Sequence, residues 1–430
     1  LVGSEMCIRA RRTAVGAFGG SLKGVAAKDL GALVIREVLL SVGLKPEVSD
    51  IIKKERPDLL KKEELAPVEK EYWKWPDGNK GIWIDEVIMG NVLQAGQGQN
   101  PGRQAMIRAG LPKETPAITV NKVCASGLKA LALAAATINA GDNQVVVAGG
   151  MENMTEAPIA IPGARWGYRM DMPYGKTTDL MVFDGLYEIF YGYHMGITAE
   201  NIASLYGISR QDQDQLGYES HVRARAAISK GILKEETVPV VVPRKKGDPL
   251  VFDTDERPMD TTLEKMAKLP TVFKKDGTVT AGNASGINDG AAACLLMSEE
   301  KAHELGLTPL ARIRGYASGG IDPAYMGLGP IPAVRKLLRI TGTSIKDYGL
   351  FELNEAFASQ AIACIRELGL DESIVNVNGS GISIGHAIGA TGTRIIVALI
   401  HEMRRRKIEL GMASLCIGGG MGMAMAIEAM

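Results

Sequence analysis

The sequence predicts an α/β protein built from two duplicated halves, because two distant segments share one layout. Residues 121–151 contain a loop, an apolar helix at 127–140, a Gly-Asp break and the strand "QVVVAGG", followed by a methionine. Residues 376–421 repeat this order with the helix "IIVALIHEMRRR", a break at Gly411 and the strand "ASLCIGGG". Helical periodicity that gives way to a short apolar run is typical of alternating helices and strands. We therefore expect a βαβαβ-type unit in each half, with helices layered on mixed sheets.

Changes of composition divide the chain. We assign 1–153 to the first half, which an insertion at 46–83 interrupts, and 307–430 to the second half. Between them, 154–286 is polar, irregular and rich in Gly, Tyr, Asp and Pro. Such a long excursion is expected to form a loop domain that covers a substrate. Residues 287–306 return to strand and helix patterns and are expected to rejoin the first half.

The insertion at 46–83 is charged and ends in a cluster of tryptophans, Trp73, Trp75 and Trp83. One interpretation is a surface helix and turn that the tryptophans anchor to the body of the protein. The other is a docking surface for a protein partner or for the far end of the substrate. The residues themselves leave both interpretations open.

Bulk composition argues against several classes of function. The 430 residues contain 49 basic and 49 acidic side chains, so no net field attracts nucleic acid or anionic lipid. The five cysteines are widely spread, with no CxxC pair and no Cys/His pair at metal-ligand spacing. We therefore expect no metal site, no disulfide framework and a reducing compartment. The absence of a secretory signal core and of a run of about 18 apolar residues predicts a cytoplasmic protein without a membrane span.

Cys124 stands where a polar turn runs into a long apolar helix, in "NKVCASGLKALALAA". A cysteine at such a place is often a packing residue, since free cysteines are frequently buried. The alternative is a nucleophile, because the unpaired N–H groups and the dipole of a helix N-terminus stabilise a thiolate.

The second half supplies candidate partners for this thiol. His386 lies between glycines in "GISIGHAIGATG", where it has room to face a ligand. Asn354 and Glu355 are the first two residues of "NEAFASQAIA". On its own, this polar pair before an apolar segment indicates a helix cap. Cys416 precedes "IGGGMG", whose backbone N–H groups can face an oxyanion. Two cysteines and a histidine match acyl transfer through a thioester on the enzyme, which needs a nucleophile, oxyanion donors and a base.

These motifs resemble those of the thiolase family. "NKVCASGLKA", "GGMENMTEAP", "NEAFA", "GHAIGATGTR" and "CIGGGMG" occur in the order and spacing of thiolases. The resemblance extends from 12–24 ("RTAVGAFGGSLKG") to the last residues given, interrupted by the insertion. It implies the thiolase fold, in which two duplicated halves form a layered α/β/α/β/α body with a loop domain. It also implies a homodimer or homotetramer, and an active site between the halves.

The resemblance implies a role for each catalytic candidate. Cys124 attacks the thioester and carries the acyl group, while His386 activates the thiol. His386 also donates to the oxyanion of one carbonyl, together with a water held on Asn354. Cys416 is the general base and acid at the carbon alpha to the second thioester. The backbone N–H groups of Cys124 and Gly418 form the second oxyanion hole.

Coenzyme A enters as a substrate, and the resemblance implies no permanently bound cofactor. Two segments, "FKKDGTVTAGNASGIND" and "YGYHMGITAEN", resemble the coenzyme A loop and the acyl pocket of short-chain thiolases. The residues implied for binding are His194, Met195, Phe273, Ala281, Ser285 and Phe357.

Several residues depart from the family pattern. Ala387 follows the histidine where thiolases have proline, and Ser380 and Ser383 add hydroxyl groups to the preceding turn. We expect these changes either to reshape the acyl pocket or only to repack it. Near Arg257 the chain is one residue shorter than the pattern, so no nucleotide-binding arginine is assigned. The segment 4–11 ("SEMCIRAR") is a poor match to an apolar first strand, which we expect to be altered or displaced.

The function implied is an acyl-CoA acetyltransferase that makes or cleaves a 3-oxoacyl-CoA, and "YHMGITAEN" favours acetoacetyl-CoA. The first alternative is a degradative thiolase for longer, branched or aromatic substrates, suggested by the serines, by Ala387 and by the insertion. The second is a thiolase-fold subunit that docks a partner through 46–83.

Overall fold

The computed structural model describes residues 5–62, 65–167 and 177–430. Nine strands follow one another across a single mixed sheet, and eight helices in the described residues have eight or more residues. The strands are β1 (Glu5–Thr13), β2 (Glu86–Gly90), β3 (Ala117–Val120), β4 (Val145–Asn153), β5 (Asn288–Ser298), β6 (Ala311–Gly320), β7 (Leu350–Leu353), β8 (Leu410–Ile417) and β9 (Met421–Ala429). The helices are α1 (Ala27–Leu40), α2 (Pro101–Arg108), α3 (Ser126–Ala140), α4 (Met195–Tyr206), α5 (Arg210–Ser229), α6 (Pro330–Thr341), α7 (Ala358–Leu368) and α8 (Ile388–Arg406). Shorter helices are Asp50–Glu55, Pro67–Tyr72, Leu180–Gly185, Leu263–Ala267 and Glu299–Leu305.

The sheet order is β7-β8-β9-β6-β1-β5-β4-β2-β3, so the two halves share one continuous hydrogen-bonded ladder. The outer pairs β7–β8, β4–β2 and β2–β3 are parallel, and the pairs between them are antiparallel. The halves join where β1 pairs with β6 over two residues, Met6 with Arg312 and Cys7 with Ala311. Helix α8 contacts strands on both sides of this short junction.

Helices pack in layers on both parts of the sheet. The apolar helix α3 packs against α8, and these two lie between the strands of the first half and those of the second. Helices α1 and α2 cover the outer face of the first half, and α6 and α7 share a core with β7, β8 and β9. The layers therefore run α/β/α/β/α. The stretch Val123–Ala140 is apolar and long enough to cross a bilayer, but 61% of it is buried inside the protein.

The duplicated segments have the predicted order of elements, with one boundary shifted. Helix α3 leads to β4 and helix α8 leads to β8, as the sequence predicts. The predicted break at Gly411 is wrong, because Gly411 lies inside β8. The helix ends instead at Lys407, which takes a left-handed φ of 57° and caps α8 without a glycine.

The first strand is in place, contrary to the expectation of an altered or displaced strand. Strand β1 occupies the middle of the sheet, between β5 and β6. The charged residues of 4–11 have partners that are distant in sequence, since Glu5 accepts from Nδ2 of Asn139 and Arg11 donates to the carbonyl oxygen of Glu235. Arg12 is buried and bonds Glu236 through Nε at 2.7 Å and Asp255 through Nη1 at 2.7 Å. A buried guanidinium needs such paired carboxylates, and they lie more than 220 residues away.

The insertion is attached to the first half through one of its tryptophans. Its ends form a parallel pair of short strands, Leu44–Pro46 and Lys80–Ile82. Trp75 is buried, donates from Nε1 to the carbonyl oxygen of Gly110 at 2.7 Å and lies 4.8 Å beneath the Arg36 guanidinium. These contacts support the anchoring interpretation for Trp75. Docking of a partner remains a prediction for the outer face of the insertion.

Candidate active site

A cavity of about 410 Å³ opens between the two halves and the excursion at 154–286. The first half contributes Cys124, and the second contributes His386, Phe357 and Gly418. The excursion supplies the remaining predicted binding residues of the wall, namely His194, Met195, Phe273, Ala281 and Ser285. Residues that the motifs place far apart in sequence therefore face one space.

Cys124 lies in the turn before α3, with 9% of its surface exposed. The preceding residue, Val123, has a φ of 46°, a left-handed conformation that is rare for a β-branched side chain. Burial raises the pKa of the Cys124 thiol to about 11, and hydrogen bonds from the backbone N–H groups of Gly418 and of Cys124 itself oppose that rise. The thiol is therefore neutral at rest, with two backbone donors directed at its sulfur.

His386 lies in the turn that leads into α8 and is almost fully buried. Burial lowers the pKa of its imidazole to about 3, and the charge of Arg394 adds to the effect. Nε2 has no hydrogen-bond partner among the described residues. A neutral imidazole with an unpartnered ring nitrogen in a closed site can accept the proton of a reacting thiol.

Thr391 fixes which ring nitrogen of His386 carries the proton. Its hydroxyl donates to the carbonyl oxygen of Ala387 at 2.9 Å, and Oγ1 of Thr391 lies 2.8 Å from Nδ1 of His386. Since the hydroxyl proton is used, Oγ1 accepts the hydrogen bond from Nδ1–H. Nε2 is then the nitrogen with the free lone pair, and the backbone N–H of His386 is held by Oδ1 of Asn288 at 2.9 Å.

Asn354 and Cys416 lie behind the cavity wall, on neighbouring strands. Asn354 follows β7, and its backbone N–H donates to the carbonyl oxygen of Ser414 in β8 at 2.9 Å. Both side-chain atoms of Asn354 are buried without a partner among the described residues, which is costly unless water or substrate satisfies them. Cys416 is fully buried on β8. Burial raises the pKa of its thiol well above the ordinary value, and a contribution from Cys124 places the two sulfurs within electrostatic reach.

Aromatic and apolar side chains close the far wall of the cavity. The rings of His194 and Phe273 stack at 4.5 Å, and Phe357 meets Phe273 edge-on at 6.2 Å. Gly196 leaves room for this arrangement, because a Cβ there would collide with the ring of Phe273. Nδ1 of His194 accepts from the N–H of Gly196 at 3.1 Å, so its other ring nitrogen is the donor that remains for a ligand.

Arg257, to which the sequence assigns no role, also lines the cavity. Its Nε donates to the carbonyl oxygen of Ile382 at 2.6 Å, and Nη2 donates to Ala284 at 2.7 Å and to Ala281 at 3.2 Å. It therefore ties the turn before His386 to the predicted coenzyme A loop. Burial lowers the pKa of this guanidinium to about 10. The shortened motif concealed the residue, and its proximity to both loops appears only in three dimensions.

The departures near His386 lie outside the cavity lining. Ser383 is buried and bonds the hydroxyl of Ser220 at 2.8 Å, and Ser220 donates to Oε2 of Glu355 at 2.6 Å. Ser380 is also fully buried, and Ala387 caps α8. These contacts favour repacking over a reshaped acyl pocket. Within the described ranges, no three His, Cys, Asp or Glu residues are grouped as metal ligands would be.

Comparison with known proteins identifies the family. Residues 80–300 match the thiolase N-terminal domain, and residues 307–429 match the thiolase C-terminal domain. The chain belongs to the thiolase family, and its predicted fold and acyltransferase class are confirmed.

Relatives and a solved structure resemble nearly the whole chain. An acetyl-CoA acetyltransferase of Syntrophomonas wolfei is 53% identical and one of Cupriavidus necator is 51% identical, with 98% of each chain covered in both cases. The crystal structure of the Bacillus anthracis acetyl-CoA acetyltransferase superimposes with a TM-score of 0.88 at 41% identity, covering 100% of this chain and 99% of that one.

Proposed function

We propose that this protein is an acetyl-CoA acetyltransferase that cleaves or forms acetoacetyl-CoA through an acetyl-Cys124 intermediate. The carrying observation is geometric: Cys124, His386, Met195 and Gly418 line one cavity, although the motifs that hold them are far apart in sequence. The names of the relatives, which are acetyl-CoA acetyltransferases, support acetoacetyl-CoA as the substrate. The bulky wall of His194, Phe273 and Phe357 supports a short acyl group.

The first half-reaction forms the acyl enzyme. Sγ of Cys124 attacks the 3-oxo carbon of acetoacetyl-CoA, and its proton passes to Nε2 of His386. The oxyanion that forms is stabilised by the N–H groups of Cys124 and Gly418, which already point at the sulfur. When the C2–C3 bond breaks, its electron pair moves to C2, and the thiol of Cys416 protonates that carbon.

The enolate of the departing acetyl-CoA needs donors of its own. Protonated His386 and a water bound to the side chain of Asn354 supply them, which accounts for the unpartnered atoms of both residues. Free coenzyme A then gives its thiol proton to the Cys416 thiolate, and its sulfur attacks the acetyl carbon. The Cys124–acetyl bond breaks, and Cys124 regains its proton from His386. Arg257 and the loop around Ala281 and Ser285 are the groups that we assign to the pantetheine and phosphate end of the substrate.

The test is the intact mass of the protein after mixing with a panel of 3-oxoacyl-CoAs. Thiolysis leaves on Cys124 the acyl chain shortened by two carbons, so the adduct names the substrate. An acetyl adduct from acetoacetyl-CoA, with none from bulkier substrates, supports the proposal. A preference for larger adducts would instead favour the degradative alternative.

Two substitutions separate the proposed roles of the cysteines. Cys124→Ala is expected to abolish the adduct and turnover. Cys416→Ala is expected to permit acetylation of Cys124 by acetyl-CoA but to block condensation. Acetylation breaks no carbon–carbon bond and releases a thiolate that can leave without an acid, whereas condensation needs Cys416 to take a proton from the alpha carbon. Turnover that survives Cys124→Ala would contradict the mechanism.

We further propose a homodimer formed through the edge strand β3. This strand ends the sheet, has the sequence AITV without proline or charge, and leaves 44% of Ile118 exposed. Unprotected edges of this kind pair readily with a second strand. Light scattering of Ile118→Lys is expected to show a smaller assembly than the parent protein, and an unchanged mass would exclude this interface.

We also propose a reducing, cytoplasmic location. All five cysteines are free and buried, and the proposed chemistry needs two of them as thiols. Cell fractionation with antibodies to the protein would test this directly.

A further inference from the structure

Glu152 is a buried carboxylate that the mechanism above does not use. It is the last but one residue of β4 and is fully buried. Oε1 accepts from Nδ2 of Asn91 at 2.6 Å and from the N–H of Leu93 at 3.2 Å. Oε2 accepts from the N–H groups of Val92 at 3.0 Å and Gly389 at 2.9 Å. All four donors are uncharged, so hydrogen bonding alone compensates this carboxylate for the loss of water.

One of these donors connects the carboxylate to the second half. Gly389 is the second residue of α8 and lies three residues after His386. Its N–H belongs to the first turn of the helix, where it has no acceptor within the helix. Glu152 supplies that acceptor from a residue 237 positions away. The contact therefore crosses between the two halves at the start of the helix that follows His386.

The close approach of β4, α3 and α8 requires glycines at three positions, because a Cβ atom there would meet neighbouring atoms. A Cβ on Gly389 would lie 2.6 Å from Oε2 of Glu152 and 2.8 Å from the carbonyl oxygen of Met151. A Cβ on Gly150 would collide with the carbonyl oxygen of Gly389. A Cβ on Gly127, three residues after Cys124, would lie 3.0 Å from that same oxygen. The end of β4 and the starts of α3 and α8 thus meet around Gly389.

We infer that Glu152 is a positioning residue that fixes the first turn of α8 to the first half and thereby sets the distance between Cys124 and His386. The inference rests on the proposed roles of those two residues. The carboxylate touches neither the cavity nor the reacting atoms. It acts through Gly389, because a shift of this helix start carries His386 and the cavity residue Ile388 with it.

The effect of the Glu152 charge on the Cys124 thiol offers a second measurement, separate from the rate of acetylation. This charge contributes to the raised pKa of the Cys124 thiol, after burial has had the larger effect. Burial also raises the pKa of Glu152 to about 7, against the lowering effect of the hydrogen bonds from Val92, Leu93 and Gly389. Above pH 8 the carboxylate is ionised, and its replacement by an amide then removes a negative charge near Cys124.

The test compares Glu152→Gln with Glu69→Gln. Glu69 is likewise buried and accepts backbone N–H groups, from Ala66 at 2.6 Å and Lys113 at 2.8 Å, but it lies in the insertion. Glu152→Gln is expected to slow acetylation of Cys124 by acetyl-CoA about 10- to 100-fold, because small misplacements of reacting groups cost that much. It is also expected to lower the midpoint pH for alkylation of Cys124 by iodoacetamide. Glu69→Gln is expected to change neither quantity.

Acetylation within twofold of the parent together with an unchanged alkylation profile in Glu152→Gln would overturn the inference. If that variant fails to fold, Asn91→Ala serves instead, because it removes one donor to Oε1 and leaves the carboxylate in place. A several-fold loss of acetylation is then expected, and no loss would overturn the inference. Cys124→Ala distinguishes a failure of the proposed function from a failure of the inference about Glu152. Full turnover by that variant contradicts the proposed function, whereas an inactive Cys124→Ala beside a fully active Glu152→Gln contradicts the inference alone.

Discussion

Thr391 determines the tautomer of His386, and its hydroxyl can be removed with little change of shape. Valine at this position can no longer accept from Nδ1–H, so the imidazole loses its orientation and its fixed proton. We expect Thr391→Val to lower kcat about 5- to 150-fold, which corresponds to the about 1–3 kcal/mol for an unsatisfied buried group. Thr391→Ser keeps the hydroxyl and is expected to retain activity. Steady-state thiolysis of acetoacetyl-CoA checks both, and equal rates for the two variants would contradict the assignment.

Val123 tests whether backbone strain is stored beside the nucleophile. Its left-handed φ of 46° costs about 1–3 kcal/mol for a non-glycine residue, and glycine removes most of that cost. We expect Val123→Gly to leave the free energy of unfolding unchanged or higher, despite the lost side chain. The same change at Val120, in strand β3, is expected to cost about 1 kcal/mol or more. Urea unfolding of both variants decides the matter, and equal losses would show that Val123 is not strained.

The residues that sequence reasoning found and missed differ in a physical way. Cys124, His386 and Gly418 stand inside local motifs whose spacing already suggests a turn, a helix start or a glycine run. Thr391 and Glu152 also lie in the quoted motifs, but they act through hydrogen bonds that the motifs do not reveal, and Glu152 meets Gly389 across 237 positions. No local pattern encodes such a contact, so only the folded chain could show it.

Among the elements, boundaries and buried polar strands were the hardest to predict. The apolar runs predicted the positions of helix α3 and strand β4 well, because an apolar helix and a buried strand differ in length and composition. Strand β1 looked unsuitable because Glu5, Arg9 and Arg11 are charged, yet Glu5 accepts a hydrogen bond from Asn139 and Arg11 donates to the carbonyl oxygen of Glu235. Helix α8 ended before the expected glycine, because Lys407 adopts the left-handed conformation that glycine usually supplies.

Trp75 tests the anchoring of the insertion at the scale of an element. Its buried ring, its hydrogen bond to Gly110 and its contact with Arg36 all belong to the outer core of the first half, away from the cavity. We expect Trp75→Ala to lower the free energy of unfolding by about 3–5 kcal/mol, with kcat unchanged. Trp73→Ala, at a less buried ring, is the matched control and is expected to cost less. Chemical denaturation and thiolysis rates measure both, and a loss of kcat in Trp75→Ala would connect the insertion to catalysis.

At the scale of the whole molecule, duplication explains why the proposed active site lies between the two halves. Each half presents one cysteine near a turn that faces the central layer, and α3 packs against α8 there. The sequence predicted this arrangement from two similar segments. The junction of the two halves through β1 and β6 could not be predicted, because it depends on a pairing of only two residues on each strand.

The burial of neutral histidines should make the stability of the whole protein depend on pH. His221 on α5 is fully buried, and its Nδ1 accepts from the N–H of Met259 at 3.2 Å. Burial lowers the pKa of His221 to about 4, and the nearby charge of Arg257 adds to this. The unfolded chain has an ordinary histidine pKa of about 6.5, so it takes up the proton first as the pH falls. Stability is therefore complete above about pH 6.5 and is lost towards about pH 4.

Between pH 7 and pH 5, His221 alone is expected to account for a loss of about 2 kcal/mol in the free energy of unfolding. His221→Asn offers an oxygen to the N–H of Met259 but cannot titrate, so its unfolding free energy should fall that much less over the same interval. His303→Asn, at an exposed histidine, is the control and should follow the parent protein. Urea unfolding at the two pH values measures all three proteins. If His221→Asn and the parent lost the same free energy, His221 would have to be accessible to protons in the folded state, and its buried position could not be correct.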